Sequence, residues 1–194
     1  MGMDVFGLAP TAPEGEYFRR NVWGWRPIAN FIIETRPEIA TRLRRPDGSG
    51  ATVDEIGQRT IDGWHYNDGC GLDVQWSIRL ADALDEMLST GEAEAYVNVR
   101  EAMLKQLPCE ICSLCEGTGL RSVQPGRQRG IPECNIAQEE DCTPDHPAFS
   151  ETDWCGRCNG RGSLPNWETY YHVDLDDIRE FSAFLRASGG FQIW

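Results

Sequence analysis

The residues best suited to chemistry in this sequence are two pairs of cysteines that share one spacing. Cys112 and Cys115 open the segment 112–119, and Cys155 and Cys158 open the segment 155–162; both segments read C-x-x-C-x-G-x-G. We call them the first and second knuckle. A C-x-x-C turn directs two thiolates at one cation, and two such turns supply the four soft ligands that tetrahedral zinc favours. The repeated pattern therefore predicts a four-cysteine zinc site.

The glycines of the knuckles have a separate role. After the second cysteine of each pair the backbone must turn back sharply, which favours positive φ or a very close approach of two backbones. Four thiolates also fill the metal's tetrahedron and leave no position open for a water nucleophile. We therefore expect a site that stabilises the fold and does not catalyse a reaction.

The two knuckles resemble the zinc-binding repeat of the DnaJ co-chaperones, in which C-x-x-C-x-G-x-G units pair around zinc. The resemblance covers only residues 112–119 and 155–162. The sequence carries fewer units than that family and lacks the His-Pro-Asp signature of its J domain. The resemblance implies the metal site and no chaperone activity.

Other residues near the knuckles form a candidate second metal site: Cys109, Cys134, Cys142 and His146. Three sulfurs and one imidazole suit zinc, but the spacing of these residues matches no established pattern. Cys109 also extends the first pair into a C-x-x-C-x-x-C run, so it competes with Cys112 or Cys115 as a ligand. The alternative is that these cysteines are reduced free thiols. We predict one Zn²⁺, with a second ion as the alternative.

The remaining reactive residues match no enzyme motif. His65, His146 and His172 are the only histidines, and none lies in a nucleophile or metalloprotease pattern. The Gly-x-Gly segments follow cysteine pairs and do not join a strand to a helix, as a phosphate-binding loop does. Cys70 has no adjacent basic residue to activate its thiol. We predict a protein that is not an enzyme, with an enzyme that lacks a recognisable motif as an alternative.

A dense group of aromatic and basic residues lies between positions 17 and 26. Its candidate binding residues are Tyr17, Arg19, Trp23, Trp25 and Arg26. A tryptophan there can stack on a base or on a partner's arginine, while an arginine holds phosphate or carboxylate. The group therefore indicates a second alternative function, the sequestration of a nucleotide or another small ligand. The simpler interpretation is ordinary core packing with the arginines extended to solvent.

The elements that position these residues are mostly helical. One helix is predicted between Asp73 as its N-cap and Gly91 at its end, because hydrophobic residues recur at helical spacing from Trp76 to Leu88. A final helix follows Asp174, and its inward residues are Ile178, Phe181 and Leu185.

Weaker patterns predict further helices over 27–35, from Pro37 through Leu43, from Thr52, and from Glu92 to Pro108. The inward face of the last of these is expected to hold Tyr96, Val99, Met103, Leu104 and Leu107. Short strands are predicted at 3–6, as an edge strand, near 167–173, and at 191–194.

The distribution of apolar residues along the chain indicates the domain organisation. Between the knuckles the chain is rich in Gly, Pro, Gln and acidic residues, and such a segment buries little by itself. We predict an α+β fold with a mostly helical body, formed by residues 1–108 and 166–194, and short terminal strands. Residues 109–165 form an inserted zinc-ribbon-like module, in which zinc replaces a hydrophobic core.

Charge limits the partners. The net charge is −13, with 31 acidic against 18 basic residues, and this field repels nucleic-acid phosphate. Acidity can serve solubility alone, or it can favour docking on a basic surface of a host protein. The sequence opens without a signal-peptide pattern, and no apolar run reaches the roughly 20 residues that a membrane helix needs. We expect a soluble protein in the reducing cytoplasm of a bacterial host cell.

Several segments are similar to those of a group of small proteins encoded by phages and prophages. The segments are Met1–Val5, Gly15–Arg19, Trp23–Pro27, Asn67–Leu72 and Phe184–Phe191. The resemblance implies a phage accessory origin. Together with the closed metal site and the acidic charge, it leads us to expect a zinc-stabilised, non-enzymatic protein. We expect it to bind a host protein and inhibit a defence system such as CRISPR-Cas.

Overall fold

The computed structural model describes residues 2–45, 61–120 and 155–194. The chain divides into two compact units, which we call the body (Met1–Lys105 with Tyr170–Trp194) and the module (Gln106–Thr169). These bounds lie three residues before the sequence-based start at 109 and four after the sequence-based end at 165. The fold is α+β, as predicted.

The described elements follow one another along the chain. In order they are β1 (Gly2–Gly7), a 3-10 turn (Pro13–Gly15), β2 (Tyr17–Asn21), α1 (Val22–Thr35), α2 (Pro37–Ala40), β3 (Gly71–Leu72), α3 (Val74–Thr90), α4 (Glu92–Lys105), β4 (Glu110–Ile111), β5 (Ser163–Leu164), a 3-10 helix (Trp167–Tyr170), α5 (Leu175–Ala187) and β6 (Phe191–Ile193).

The body contains an antiparallel sheet of four strands in the order β2-β1-β6-β3. Val5 of β1 is paired with Phe18 on one side and with Ile193 on the other. The predicted strand at 3–6 is therefore present, but the prediction that it forms an edge is wrong. A local pattern identifies a strand, whereas its place in the sheet depends on β6, which lies far along the chain.

One face of the sheet packs on helices and forms the core of the body. Met3, Val5 and Phe18 are buried on this face, and the alternate residues point away from it. The largest buried side chains include three aromatic residues of α5 and β6, Phe181, Phe184 and Phe191. Aromatic side chains bury about 150–250 Å² each, so they dominate the energetics of this core.

The two most strongly predicted helices, α3 and α5, are confirmed. The Asp73 carboxylate accepts a hydrogen bond from the Trp76 amide at 2.8 Å, and Gly91 ends α3 with φ of 82°. The Asp174 carboxylate caps α5 in the same way, through the Asp177 amide. Asp85 of α3 then accepts hydrogen bonds from α5, at 2.6 Å from the Ser182 hydroxyl and 3.0 Å from Arg186 Nε. Caps and polar contacts thus fix both helices.

Other predictions were wrong in part. Helix α1 begins at Val22 and not at Pro27, because Asn21 caps it through a 2.9 Å hydrogen bond from the Gly24 amide. The helix predicted through Leu43 ends at Ala40. Residues 167–170 form a 3-10 helix, and no strand is present in the described stretch 171–173.

Helix α4 is present but its buried face differs from the prediction. Its buried residues are Ala93, Val97 and Leu104, whereas Val99 and Met103 are exposed. A search for large apolar residues overlooks a small buried residue such as Ala93. The helix predicted from Thr52 lies outside the described residues.

Candidate metal centre

The four predicted cysteines of the two knuckles converge at one point in the module. The Sγ atoms of Cys112, Cys115, Cys155 and Cys158 all lie within 4.8 Å of one another. Cys112 Sγ is 3.7 Å from Cys155 Sγ, and Cys115 Sγ is 3.7 Å from Cys158 Sγ. All four side chains are buried. A group of this kind can hold a metal ion.

Backbone hydrogen bonds hold the two knuckles together reciprocally. The Cys112 amide donates to the Gly162 carbonyl at 2.9 Å, and the Cys155 amide donates to the Gly119 carbonyl at 3.0 Å. Thus the start of each knuckle is bound to the end of the other. Strands β4 and β5, which pair antiparallel, flank this arrangement. The cysteines are consequently positioned by backbone contacts, even though the described part of the module buries few apolar residues.

The four knuckle glycines all have left-handed backbone, and two of them, Gly119 and Gly162, also lie very close to the backbone of the other knuckle. Gly117, Gly119, Gly160 and Gly162 all have positive φ, between 71° and 87°. A Cβ atom on Gly119 would lie 2.2 Å from the Gly160 carbonyl oxygen, and one on Gly162 would lie 2.2 Å from that of Gly117. Real Cβ atoms do not approach backbone oxygens so closely. The left-handed conformation and the contact between backbones therefore both require glycine.

Backbone amides also point at the sulfurs. The Gly162 amide lies 3.3 Å from Cys158 Sγ. Burial acts to raise the pKa of the Cys115 thiol, but the Gly119 amide and the neighbouring thiols outweigh it and lower that pKa to about 7. Burial raises the pKa of the Cys155 thiol to about 11. The amides thus place hydrogen-bond donors at the sulfurs, and a bound cation would further stabilise the thiolate form.

The candidate second metal site is not assembled by the described residues. Cys109 is exposed and lies outside the cluster of four cysteines. Cys134, Cys142 and His146 lie outside the described residues. Within residues 2–45, 61–120 and 155–194, the cluster of four cysteines is the metal-ligand group that the structure brings together.

The candidate binding residues between positions 17 and 26 fall in different environments. Tyr17 donates a hydrogen bond from its hydroxyl to Asp4, and Arg19 Nε lies 3.5 Å from the same carboxylate. Trp25 is fully buried, and its indole Nε1 donates to the Trp64 carbonyl at 2.6 Å. The prediction that Trp25 contributes to a binding surface is therefore wrong, because a buried ring cannot stack on a ligand.

The rest of that group has neighbours that the sequence reasoning missed. Trp23 is 42% exposed, and its ring lies 4.6 Å from the ring of Tyr171 and 5.9 Å from that of Tyr170. The Arg26 guanidinium lies 6.0 Å from the Tyr171 ring centroid. The aromatic density at residues 167–171 is the signal for these neighbours in the sequence, but the same residues also fit the strand predicted there.

Two further titratable residues lie in the body. Burial, together with Asp68, raises the pKa of the Cys70 thiol to about 11, so this thiol is not activated. Burial, and after it the charge of Arg26, lowers the pKa of His65. The Nδ1 atom of His65 is buried without a hydrogen-bond partner among the described residues.

Comparison of the chain with protein-family models, curated proteins and solved structures finds no match. In the described part of the chain, no helix is both long and apolar enough to cross a membrane. The geometry of the four cysteines is therefore the main basis for a functional proposal.

Proposed function

We propose that the protein binds one Zn²⁺ through Cys112, Cys115, Cys155 and Cys158. The distances between sulfurs carry this proposal: Zn–S bonds of about 2.3 Å in a tetrahedron place the sulfurs about 3.8 Å apart. The two distances across the knuckles are both 3.7 Å. Four thiolates favour zinc over hard cations such as Mg²⁺ and Ca²⁺, which prefer oxygen ligands. The metal then stabilises the module in place of a hydrophobic core.

Metal analysis of the purified full-length protein under reducing conditions tests this proposal. We expect about one zinc per chain, and less than about a tenth of that in the Cys112→Ser and Cys155→Ser variants. Cys70→Ser is the matched control, because Cys70 lies in the body and outside the cluster. A metal-free protein, or cysteines of the cluster linked as disulfides, would contradict the proposal. Two ions per chain would favour the second site, and Cys109→Ser would then lose one of them.

We further propose that the protein is a non-enzymatic phage accessory protein that binds a host protein and blunts a defence system. A four-sulfur site supports a non-catalytic role because it offers no open coordination position. A net charge of −13 supports a partner with a basic surface, including one that normally holds nucleic acid. The similarity of several segments to phage and prophage proteins supports the biological setting.

A plating assay tests the defence proposal. Expression of the protein in a host with active CRISPR-Cas interference should restore plaque formation by a targeted phage, and the effector should co-purify with it stoichiometrically. Because charge attraction is screened by salt, the affinity should fall between about 50 and 200 mM salt. Unchanged plating together with the absence of a stoichiometric partner would contradict the proposal.

A small-ligand function remains the second candidate, supported by the cluster of Trp23, Arg26 and Tyr170, which are exposed, around the half-buried Tyr171. An aromatic surface with one guanidinium suits a planar anionic ligand such as a nucleotide. Thermal-shift screening against nucleotides tests it, since a ligand that binds only the folded state raises the melting temperature. The shift should be lost in Trp23→Ala and Arg26→Ala and retained in Arg19→Ala. A shift that survives both substitutions would exclude this site.

A further inference from the structure

The face of the sheet that points away from the helices is rich in exposed aromatic residues. Phe6 and Tyr17 are both 44% exposed, and Trp194 is 50% exposed. Phe6 and Tyr17 are directly opposed on β1 and β2, with ring centroids 5.1 Å apart. Trp194 follows β6 and pairs with Asp4 through two backbone hydrogen bonds of 2.7 Å. We call these three residues, with Asp4 and Arg19, the aromatic face.

Contiguous apolar patches of a few hundred Å² on a folded chain are often functional. The composition of this face is that of a protein interface, where Phe, Tyr, Trp and Arg are enriched. Its rings also belong to different strands of one sheet, so the surface is held in place before any partner arrives. Such preorganisation lowers the entropy cost of association.

The charge of the aromatic face is balanced, although the chain as a whole carries −13. Its ionic groups are one acid and one base, Asp4 and Arg19, which face each other across β1 and β2 and form an ion pair at 3.5 Å. The Tyr17 hydroxyl also donates to Asp4. A basic partner therefore finds no acidic surplus here, and a phosphate at Arg19 would meet the Asp4 carboxylate beside it, which repels it.

The free edge of β2 is a less suitable site than the face. The Arg19 carbonyl accepts a 3.0 Å hydrogen bond from the Arg20 side chain, which occupies an acceptor that an added strand would use. The aromatic rings point out of the sheet, and not along its edge. A partner therefore meets the sheet face to face.

We infer that the aromatic face binds a second copy of this chain around a two-fold axis. Such an axis presents every residue twice, so one acid and one base yield two complementary pairs, Asp4 of each copy with Arg19 of the other. The remaining charge of each copy repels the other, but salt screens it beyond about 8 Å, so the groups on the face dominate. The rings then interdigitate between two sheets packed about 10 Å apart.

The size of the face sets the strength of the dimer. With about 200 Å² for each aromatic side chain and about half of it exposed, the three rings offer roughly 300 Å² per copy. Stable interfaces bury about 800 Å² per partner. We therefore expect a concentration-dependent dimer with a dissociation constant in the micromolar range and not an obligate one.

Analytical ultracentrifugation of the zinc-loaded full chain tests the dimer. The average mass should rise from monomer towards dimer between about 1 and 300 μM. Phe6→Lys and Trp194→Lys should each raise the dissociation constant at least ten-fold, while Val99→Lys, at an exposed position on α4, leaves it unchanged. A wild-type chain that stays monomeric throughout this range would overturn the inference. So would a dimer whose dissociation constant changes with neither substitution on the face.

A charge-exchange experiment tests the two-fold arrangement. Asp4→Lys and Arg19→Glu should each weaken the homodimer, because each places like charges opposite each other at both pairs. An equal mixture of the two variants should form a heterodimer at concentrations where neither self-associates, because both pairs are then complementary. Circular dichroism establishes that each variant is folded. Folded variants that do not associate when mixed would overturn the arrangement.

Discussion

The carbonyl oxygen of Gly160 lies 2.2 Å from the point where a Cβ atom on Gly119 would stand, and the Gly117 carbonyl stands in the same relation to Gly162. The backbones of the two knuckles therefore touch on both sides of the cysteine cluster. Because this contact places the sulfurs, we expect the metal affinity to depend on glycine at the contact positions.

Substitution of Gly119 by alanine should lower the zinc affinity at least a hundred-fold, because backbone cannot give way as a flexible side chain can. Gly117→Ala is the matched control: its φ of +87° is equally left-handed, but the nearest atom to its Cβ is Ile111 Cγ2, at 3.4 Å. We expect this control to lose about 1–2 kcal/mol to backbone strain and to keep its zinc. Competition with a chromophoric chelator measures both affinities, and equal losses would argue against the contact as the cause.

Loss of the metal should unfold the module and leave the body helical. Helices α1 to α5 all lie in the body, whose core contains none of the four cysteines. We therefore expect Cys112→Ser to lose zinc and to become sensitive to proteolysis within the knuckles, while its far-ultraviolet circular dichroism stays near that of the wild type. Cys109→Ser should keep its zinc and its resistance to proteolysis. A helical signal that falls in proportion to zinc would show that the two units are coupled.

Trp23 and Trp25 should differ sharply in their contribution to stability. Trp25 is fully buried against Trp64 and Phe181, whereas Trp23 is partly exposed. Trp25→Ala should lower the free energy of unfolding by about 3–5 kcal/mol, the usual cost of removing a large core side chain. Trp23→Ala should cost about 1 kcal/mol or less. Urea unfolding followed by circular dichroism measures both, and similar costs would contradict the burial of Trp25.

Stability should fall on mild acidification because of His65. Its pKa is lowered in the folded protein, by burial first and by Arg26 second, so the unfolded chain takes up a proton more readily below pH 6.5. The free energy of unfolding then decreases as the pH falls from about 7.5 towards the folded-state pKa. Thermal unfolding of the body at several pH values measures this slope. His65→Gln should flatten it, and a slope that this variant leaves unchanged would contradict the role of His65.

The features that the sequence predicted well depend on local chemistry. Asp73 and Gly91 delimit α3 because a capping carboxylate and a left-handed glycine act on their own helix ends. Each C-x-x-C turn likewise acts locally, because its short spacing directs two thiolates at one point. Two such turns pair most simply with each other, so the cluster was predictable, whereas the sequence left Cys109 as a competing ligand that the structure places outside the cluster.

The features that the sequence predicted poorly depend on residues far along the chain or on a helix start placed at the wrong residue. Pro27 suggested a helix start, but Asn21 caps α1, which begins five residues earlier at Val22. On a helix, residues two apart point in different directions, which explains why Trp23 and Trp25 have opposite environments. The position of β1 within the sheet depends on β6, and no pattern near β1 indicates it.

The pairing of Val5 with Ile193 has a consequence for biosynthesis. While the ribosome is still translating the stretch before Phe191, β1 has its neighbour on one side only, and the hydrophobic interior of the body stays open there. At about 5–20 residues per second, the hairpin of β1 and β2 waits roughly 10–40 s for β6. Both cysteine turns emerge before that strand, so the nascent chain could bind the proposed zinc before β6 completes the sheet.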